Sequence, residues 1–396
     1  MNSAIDFLSQ KFVKKFIQEN TYTDPRKLIL NPPSDFKNQI RIVANQILAR
    51  QKAKGKLDSW CSNFDLIMPP PLSIEQASSD ATCGYKKKLV KGHTLVDLTG
   101  GMGIDCLALS ESFENTIYVE KEKELCEVFA HNVSILKRDI TIVNKYASDF
   151  LESTELDYEN TTIYLDPARR DDVKNRVFRI EDCTPNLIEL LPRLDRANAV
   201  VIKFSPLLDI QDILSKISQI KEVHVVSVKN DCKEVLILIN KNVKSKPIIH
   251  CTNLETSQLD YSFTNEEEHS SQTICGGLES ILYEPNTAIM KAGPFDKISS
   301  DFKLKKLNRN THLYTSEKLL DFFPGKVFKV IEHVTKKSIS KYAPYHKINV
   351  ISRNYPMKAN DIKKKWKLND GGNFYLIAFR DKDEKPQTIV ANRIDL

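Results

Sequence analysis

The densest group of residues able to do chemistry is Val96-Asp97-Leu98-Thr99-Gly100-Gly101-Met102-Gly103-Ile104-Asp105. It joins a β-type run, HTLVDLT, to a helical run, CLALSESF. Glycines in a strand-to-helix turn let the backbone approach a ligand closely. The helix start behind them offers free N–H groups. The G-x-G-x-x-G spacing that cradles a dinucleotide fails here, because Cys106 stands at the third glycine. An acid at the strand end, Asp97, suits a cationic ligand without a pyrophosphate. The next strand ends in Glu120, 17 residues past Gly103, and an acid at that place can accept from two ribose hydroxyls. The third strand region leads to Asp149. It is placed either to accept from an adenine amino group or, more simply, to cap a turn or helix.

The fourth strand ends in Asp166-Pro167-Ala168-Arg169-Arg170. In open α/β sheets the ligand crevice lies at the carboxyl ends of the strands, so Asp166 faces the reacting end of a bound ligand. Arg169 and Arg170 can hold a phosphate or carboxylate. They can equally pair with Asp171, Asp172 or Glu181. The fifth strand ends in Lys203-Phe204-Ser205-Pro206. Attack on carbon-5 of a pyrimidine needs a cysteine nucleophile. Ala168 and Ser205 occupy the strand ends where it would stand, and Cys183 is the nearest thiol in sequence. The eight cysteines are scattered with no C-x-x-C pair, so they read as reduced thiols in a cytoplasmic protein. No motif calls for a metal.

The elements that must position these residues follow from the hydrophobic pattern. Residues 1–75 read mainly as helix, with Phe7, Phe12 and Phe16 at helical spacing and Pro69-Pro70-Pro71 as the stop. Seven β runs follow: HTLVDLT, TIYVE, ITIVN, TIYLD, AVVIKF, EVHVVSV and EVLILIN. Helical stretches separate the first six, which predicts a mainly parallel sheet covered on both faces. Only KNDCK separates the last two, too short for a crossover, so they form an antiparallel hairpin. Residues 246–325 read as a small α+β part, with a strand and helix in SILYEPNTAIMKAG. Residues 326–396 alternate strand and helix. The full chain of 396 residues has a net charge of +6, yet its last 71 residues hold 16 Lys plus Arg against 7 Asp plus Glu. The basic excess is therefore confined to the last fifth, the footprint of an anionic partner. No apolar run approaches the roughly 20 residues that span a bilayer.

Together these features resemble the class I S-adenosylmethionine-dependent methyltransferases over roughly residues 80–245. Asp97, Gly101 and Gly103 match the family's Asp/Glu-x-Gly-x-Gly-x-Gly motif, with Thr99 in place of its first glycine, and Glu120 matches its second-strand acid. The resemblance implies S-adenosylmethionine held by Asp97, Thr99, Gly101, Gly103, Glu120, Asp149 and Asp166. Amine methyltransferases often carry Asn/Asp-Pro-Pro-Tyr/Phe after strand four; Asp166 and Pro167 match, whereas Ala168 and Arg169 do not. Ribose 2′-O-methyltransferases of the same fold use a Lys-Asp-Lys-Glu set, for which Lys86, Asp166, Lys203 and Glu234 stand in order. The bland alternative is a surface Lys86 and a structural Glu234–Lys203 pair. Asp166, Lys203 and Arg169 are thus the expected catalytic group. The segment Ser73–Thr82 either folds over the methionine end of the cofactor or starts a helix through Ser79 and Asp80.

The order of parts is similar to a bacterial methyltransferase family with a C-terminal THUMP-like domain, on EQASSDAT, VDLTGGMGID, LDPARR, IKFSP, ILYEPNTAIMKAG and GGNFYLIAF. It implies a helical region over 1–75, the methyltransferase domain over 76–245, a ferredoxin-like α+β domain over 246–325 and the basic THUMP-like domain over 326–396. It also implies RNA, tRNA first, as partner. Lys363, Lys364, Lys365, Trp366 and Lys367 would form the RNA-facing helix, with Tyr342, Tyr345, His346 and Tyr355 available to stack on bases. Two rivals remain open. One is a methyltransferase of protein or a small metabolite, and the other is an RNA-binding protein that holds the cofactor without turnover.

Overall fold

A computed structural model describes residues 3–169, 180–241 and 243–395. The chain forms two compact units, Met1–Lys221 with Leu236–Lys244, and Glu222–Val235 with Ser245–Leu396. Among the described residues no helix is long and apolar enough to cross a membrane.

All seven expected strands form: β1 (Gly92–Asp97), β2 (Phe113–Glu120), β3 (Thr141–Asn144), β4 (Thr161–Leu165), β5 (Ala199–Phe204), β6 (Ile220–Val228) and β7 (Asp231–Asn240). Pairing of β3, β2, β1, β4 and β5 is parallel throughout. The strand order is 3-2-1-4-5-7-6 in chain numbering. Strands β6 and β7 are joined by Lys229 and Asn230, with φ of 50° and 65°. Two successive left-handed residues match the twist of an antiparallel ribbon, as the short KNDCK connection requires. Strands β4 and β5 are buried at every position, which is why they read as continuous apolar runs rather than alternating ones.

The N-terminal helices pack around Val13, Ile17, Phe36, Val43 and Ile47. The expected Phe7–Phe12–Phe16 face is broken. One helix ends at Leu8 and the next begins at Lys11, leaving Phe12 about half exposed. The proline run also differs from a plain stop, because Pro71 opens the helix Pro71–Gln76. Its missing N–H is no loss in a first turn. Within this region Gln46 exchanges two bonds with the Met68 backbone, at 2.6 and 2.8 Å. Asn132 exchanges two with the Ile67 backbone, both at 2.9 Å, and so ties the region to the body of its unit. The buried Arg50 guanidinium donates to four carbonyls between Trp60 and Leu66.

In the second unit, β8 (Ile248–Leu254) pairs in parallel with β6, and β9 (Tyr261–Phe263) pairs antiparallel with β8. A seven-stranded sheet follows. Its strands are β10 (Ile281–Pro285), β11 (Lys305–Lys306), β12 (Tyr314–Ser316), β13 (Gly325–His333), β14 (Asn349–Arg353), β15 (Phe374–Arg380) and β16 (Pro386–Ile394), in the order 11-12-10-13-16-15-14. The helix Ala359–Trp366 crosses between the parallel strands β14 and β15. Along β15, Leu376 and Ala378 enter one core while Ile377 and Phe379 enter the other. The apolar run YLIAF thus marks a strand covered on both faces.

Candidate active site

The carboxyl ends of β1, β2 and β4 surround a cavity of about 580 Å³ in the first unit. Its floor is the glycine turn. Gly100 N–H donates to the Val119 carbonyl, and Gly103 N–H to the Gly100 carbonyl. Gly101 and Gly103 have φ of 54° and 75°, in the region where side chains are strained. The two glycines serve different ends. A Cβ at Gly103 would overlap the Phe129 ring, which stacks on Tyr118 with centroids 4.0 Å apart. A Cβ at Gly101 would meet nothing closer than the Thr99 carbonyl at 3.6 Å. The first glycine is required by packing and the second keeps the cavity floor bare. Gly100, absent from the expected set, is also required by packing, since a Cβ there would overlap Tyr118.

Two carboxylates hold this turn. Glu120 accepts from Gly101 N–H at 2.8 Å and from Glu122 N–H at 2.9 Å, one on each oxygen. Asp97, 1% exposed, accepts from Thr99 N–H at 3.0 Å. Burial pushes the Asp97 carboxyl well above the usual range; the Thr99 bond opposes this, while Asp105 and Asp166 add to it. Thr99, which replaces the family's first glycine, has a task of its own. Its hydroxyl accepts from Asp166 N–H at 2.6 Å, tying the first strand's end to the fourth's.

At the other end of the cavity lies a side-chain network whose centre, Asp105, the sequence did not disclose. Asp105 sits in the first turn of the helix Ile104–Ser110. Its carboxylate is 3.1 Å from both Lys86 Nζ and Lys203 Nζ. It also accepts from Ser78 at 2.9 Å, Tyr164 at 2.8 Å and the Cys83 thiol at 3.5 Å. Burial alone would raise its pKa, but Lys203, Lys86 and the two hydroxyl donors together hold it well below the carboxylate range. Lys203 Nζ then reaches Asp166 Oδ2 at 2.6 Å. Lys86 is 1% exposed and is no surface lysine. Of the expected set Lys86, Asp166, Lys203 and Glu234, the two lysines share the carboxylate of Asp105, and Lys203 also reaches Asp166. Glu234 is buried in β7. One signal was available: Tyr164 and Asp166 lie two apart at the end of β4, and period-two alternation puts them on one face.

Other expected residues fall as follows. Asp149 is exposed in the first turn of the helix Ala147–Ser153, bonded to the Ser148 hydroxyl. The wall on that side is Lys145–Ser148 instead. Ser79 caps the helix Asp80–Leu89 through a reciprocal bond with Thr82. Its neighbours Ser73, Gln76, Ala77 and Ser78 line the cavity, so the helix start lies beside the cavity wall. Arg170, Asp171, Asp172 and the side chain of Arg169 lie outside the described residues.

In the second unit the basic helix Ala359–Trp366 buries Ile362, and Trp366 packs against the same core. Lys364, Lys365 and Lys367 are exposed, while Lys363 pairs with Asp370 at 2.7 Å. Tyr342 and Tyr355 belong to that core rather than to a stacking surface, with Tyr342 edge-on to Phe374. Tyr345 and His346 are exposed.

Residues 282–324 match the family model of a ferredoxin-like domain, and residues 325–393 that of a THUMP domain-like family. A crystal structure described as "putative methyltransferase from Porphyromonas gingivalis W83" is 30% identical, with a TM-score of 0.84 over 97% of this chain and 98% of that one. M. capricolum TrmK in complex with S-adenosyl-homocysteine is 13% identical, with a TM-score of 0.32 over 41% of this chain and 68% of that one. A modification subunit of a type I restriction enzyme from Vibrio vulnificus YJ016 is 10% identical, with a TM-score of 0.34 over 49% of this chain and 52% of that one. No curated protein matches the sequence. Likeness to the Porphyromonas protein over nearly the whole of both chains shows that this chain belongs to its family, the bacterial class I methyltransferases that carry a C-terminal THUMP-like domain.

Proposed function

We propose that the protein is a cytoplasmic S-adenosylmethionine-dependent methyltransferase that modifies structured RNA, tRNA first. The observation that carries the reading is the cavity itself. A bare glycine floor and three strand-end carboxylates, Asp97, Glu120 and Asp166, meet in one space. The residues fit the cofactor. Gly101 leaves room for a ligand against the backbone. Glu120 spends one lone pair per oxygen on the turn and retains others for a ribose diol. Asp97 is a buried carboxylate whose ionisation is opposed by its surroundings, and a bound cation supplies the missing countercharge. Lys145–Ser148, just before Asp149, would form the wall against the adenine.

S-adenosylmethionine supplies an electrophilic methyl group on a sulfonium. The chain's own part is to place the acceptor and exclude water. Asp166 has its side chain 41% exposed toward the cavity, with one oxygen fixed by Lys203. Its other oxygen can accept from the acceptor's N–H or O–H and orient the lone pair. Lys203 is paired with carboxylates on two sides. Its role is to hold Asp166, and Arg169, three residues further along the chain, is the residue we assign to an acceptor's phosphate. The exposed Lys364, Lys365 and Lys367 offer contacts to an RNA backbone, with Tyr345 and His346 exposed for stacking.

The test is methyl transfer from labelled S-adenosylmethionine to unmodified tRNA, rRNA and a protein extract, offered separately. Label in tRNA is expected. Asp166→Ala should lower the rate at least about 100-fold while cofactor affinity changes little. Affinity for RNA should fall steeply with salt. Label confined to protein or small molecules overturns the RNA assignment, and cofactor binding without transfer to any pool overturns the enzymatic one.

A further inference from the structure

Away from the cavity, among the described residues, one group of side chains carries metal-ligand chemistry: Glu222, His224 and His250. All three lie in the second unit. His224 in β6 and His250 in β8 are direct partners across the parallel pair. Glu222 precedes His224 by two residues, so it shares that sheet face. One donor atom from each residue falls within 4.8 Å of the others. Glu222 Oε2 and His224 Nε2 are 3.1 Å apart, and the two imidazoles stack with centroids 4.7 Å apart and planes 15° from parallel. On the third strand, Ser262 is the partner of His250, and its hydroxyl bonds His250 Nδ1 at 2.8 Å.

We propose that Glu222, His224 and His250 bind one divalent transition-metal ion, zinc being the reference case, with Ser262 as the residue that orients His250. The donor set selects the ion class. Two imidazoles and a carboxylate suit zinc, cobalt, nickel or iron, whereas calcium and magnesium take oxygen ligands. Ligands about 2.0–2.1 Å from a tetrahedral zinc stand a little over 3 Å from each other, the separation of Glu222 and His224. His250, half-buried, closes the set by an adjustment about χ2, a broad torsion for imidazole. The buried His224 supplies the rigid end. A hydrogen bond from the non-ligating nitrogen to a fixed oxygen commonly sets a metal-bound imidazole, and Ser262 occupies that place. A Glu222–His224 ion pair alone accounts for neither the position of His250 nor its tether. Three protein ligands leave a coordination position for water or another donor.

The experiment uses the full-length protein, stripped with a chelator and titrated with Co²⁺ and then with competing Zn²⁺. Wild type is expected to take up one equivalent of cobalt, with visible d–d bands of a four- or five-coordinate N/O site. Both His250→Ala and Glu222→Gln should lose that equivalent while keeping the far-ultraviolet dichroism of the parent. Ser262→Ala should bind about tenfold more weakly. These variants alter partly exposed side chains, so the buried His224 need not be touched. The proposal falls if no stoichiometric cobalt is taken up or if His250→Ala binds as wild type does. It also falls if a thiolate-to-cobalt charge-transfer band shows that the free cysteines hold the ion.

Discussion

The two ends of the cavity are built by opposite means. The glycine end is held by backbone: Gly101 and Glu122 donate to Glu120, and Thr99 donates to Asp97, over short stretches of β1, β2 and their turns. The acceptor end is held by side chains. Ser78, Lys86, Asp105, Tyr164, Asp166 and Lys203 come from five separate elements and meet around one carboxylate. Loss of a carboxylate at the first end leaves peptide N–H groups without that acceptor. Loss of Asp105 at the second also takes a countercharge from buried lysines.

The largest expected effect follows from that difference. Asp105→Asn removes the shared countercharge of two buried lysines. Breaking a buried pair by deleting one partner destabilises by about 3–5 kcal/mol; here two lysines lose this partner, Lys203 keeping Asp166. Urea denaturation should show that loss, with Glu120→Gln near the low end of single-site effects. The double variant Lys86→Met, Asp105→Asn removes one stranded charge and should recover part of the difference. An Asp105→Asn protein as stable as wild type would remove the network from the stability argument. The pH dependence has a definite sign. The folded pKa of Asp105 lies below its unfolded value near 3.8. Its stabilisation is therefore present above that unfolded value and lost as pH falls toward the folded one.

The same contrast explains what was legible in the sequence. A turn built from backbone needs particular residue types at adjacent positions, so Asp97, Gly101, Gly103 and Glu120 could be read from spacing alone. Strands β4 and β5 were legible because burial on both faces writes continuous apolar runs. Asp105 was not, although it ends the motif that was read. A first-turn carboxylate is usually a solvated helix-end charge, and nothing local distinguishes one that meets lysines from positions 86 and 203. Ser78 was hidden by its neighbour Ser79, whose capping role fits the pattern so well. Strand β16 was missed for a related reason: PQTIVANRI begins with proline and ends in charge, so its buried centre Ile389–Ala391 is short.

A second prediction sharpens the glycine end. Gly103→Ala places a Cβ within the Phe129 ring and keeps a left-handed backbone. Overpacking and strain together should remove about 2–4 kcal/mol. Gly101→Ala keeps the strain without the clash and should remove only about 1–2 kcal/mol. It should nevertheless weaken the cofactor more than its stability loss predicts, because the new methyl points into the cavity. Thermal denaturation with and without S-adenosylmethionine separates the two. Equal stability losses would show that packing does not distinguish the glycines.

A third prediction turns on Asp97. Its folded pKa is raised by burial above the unfolded value, so in the free protein ionisation works against folding. Whatever stability it contributes is full below its unfolded pKa and lost as pH rises through the folded one. Asp97→Asn should therefore stabilise the free protein at pH 8, on the order of 1 kcal/mol. That gain should vanish below pH 4, and cofactor binding should weaken at every pH. Calorimetric melts at the two pH values check the sign, and a destabilised variant at pH 8 would contradict it.

The smallest expected effect separates two adjacent serines. Ser79 caps the helix Asp80–Leu89 by accepting from Thr82 N–H at 3.2 Å. Ser79→Ala should remove about 1 kcal/mol and leave cofactor affinity and transfer rate as they are. Ser78 instead donates to Asp105 and accepts from Lys86 at 2.9 Å, bonds that involve ionised groups. Ser78→Ala should act on the acceptor end, lowering the transfer rate along with stability. If both variants lose stability alone, segment 73–82 is a helix start whose second serine merely lies against the network. If Ser78→Ala lowers the rate while Ser79→Ala spares it, adjacent side chains of one turn do different work, Ser79 fixing the helix and Ser78 holding the charges.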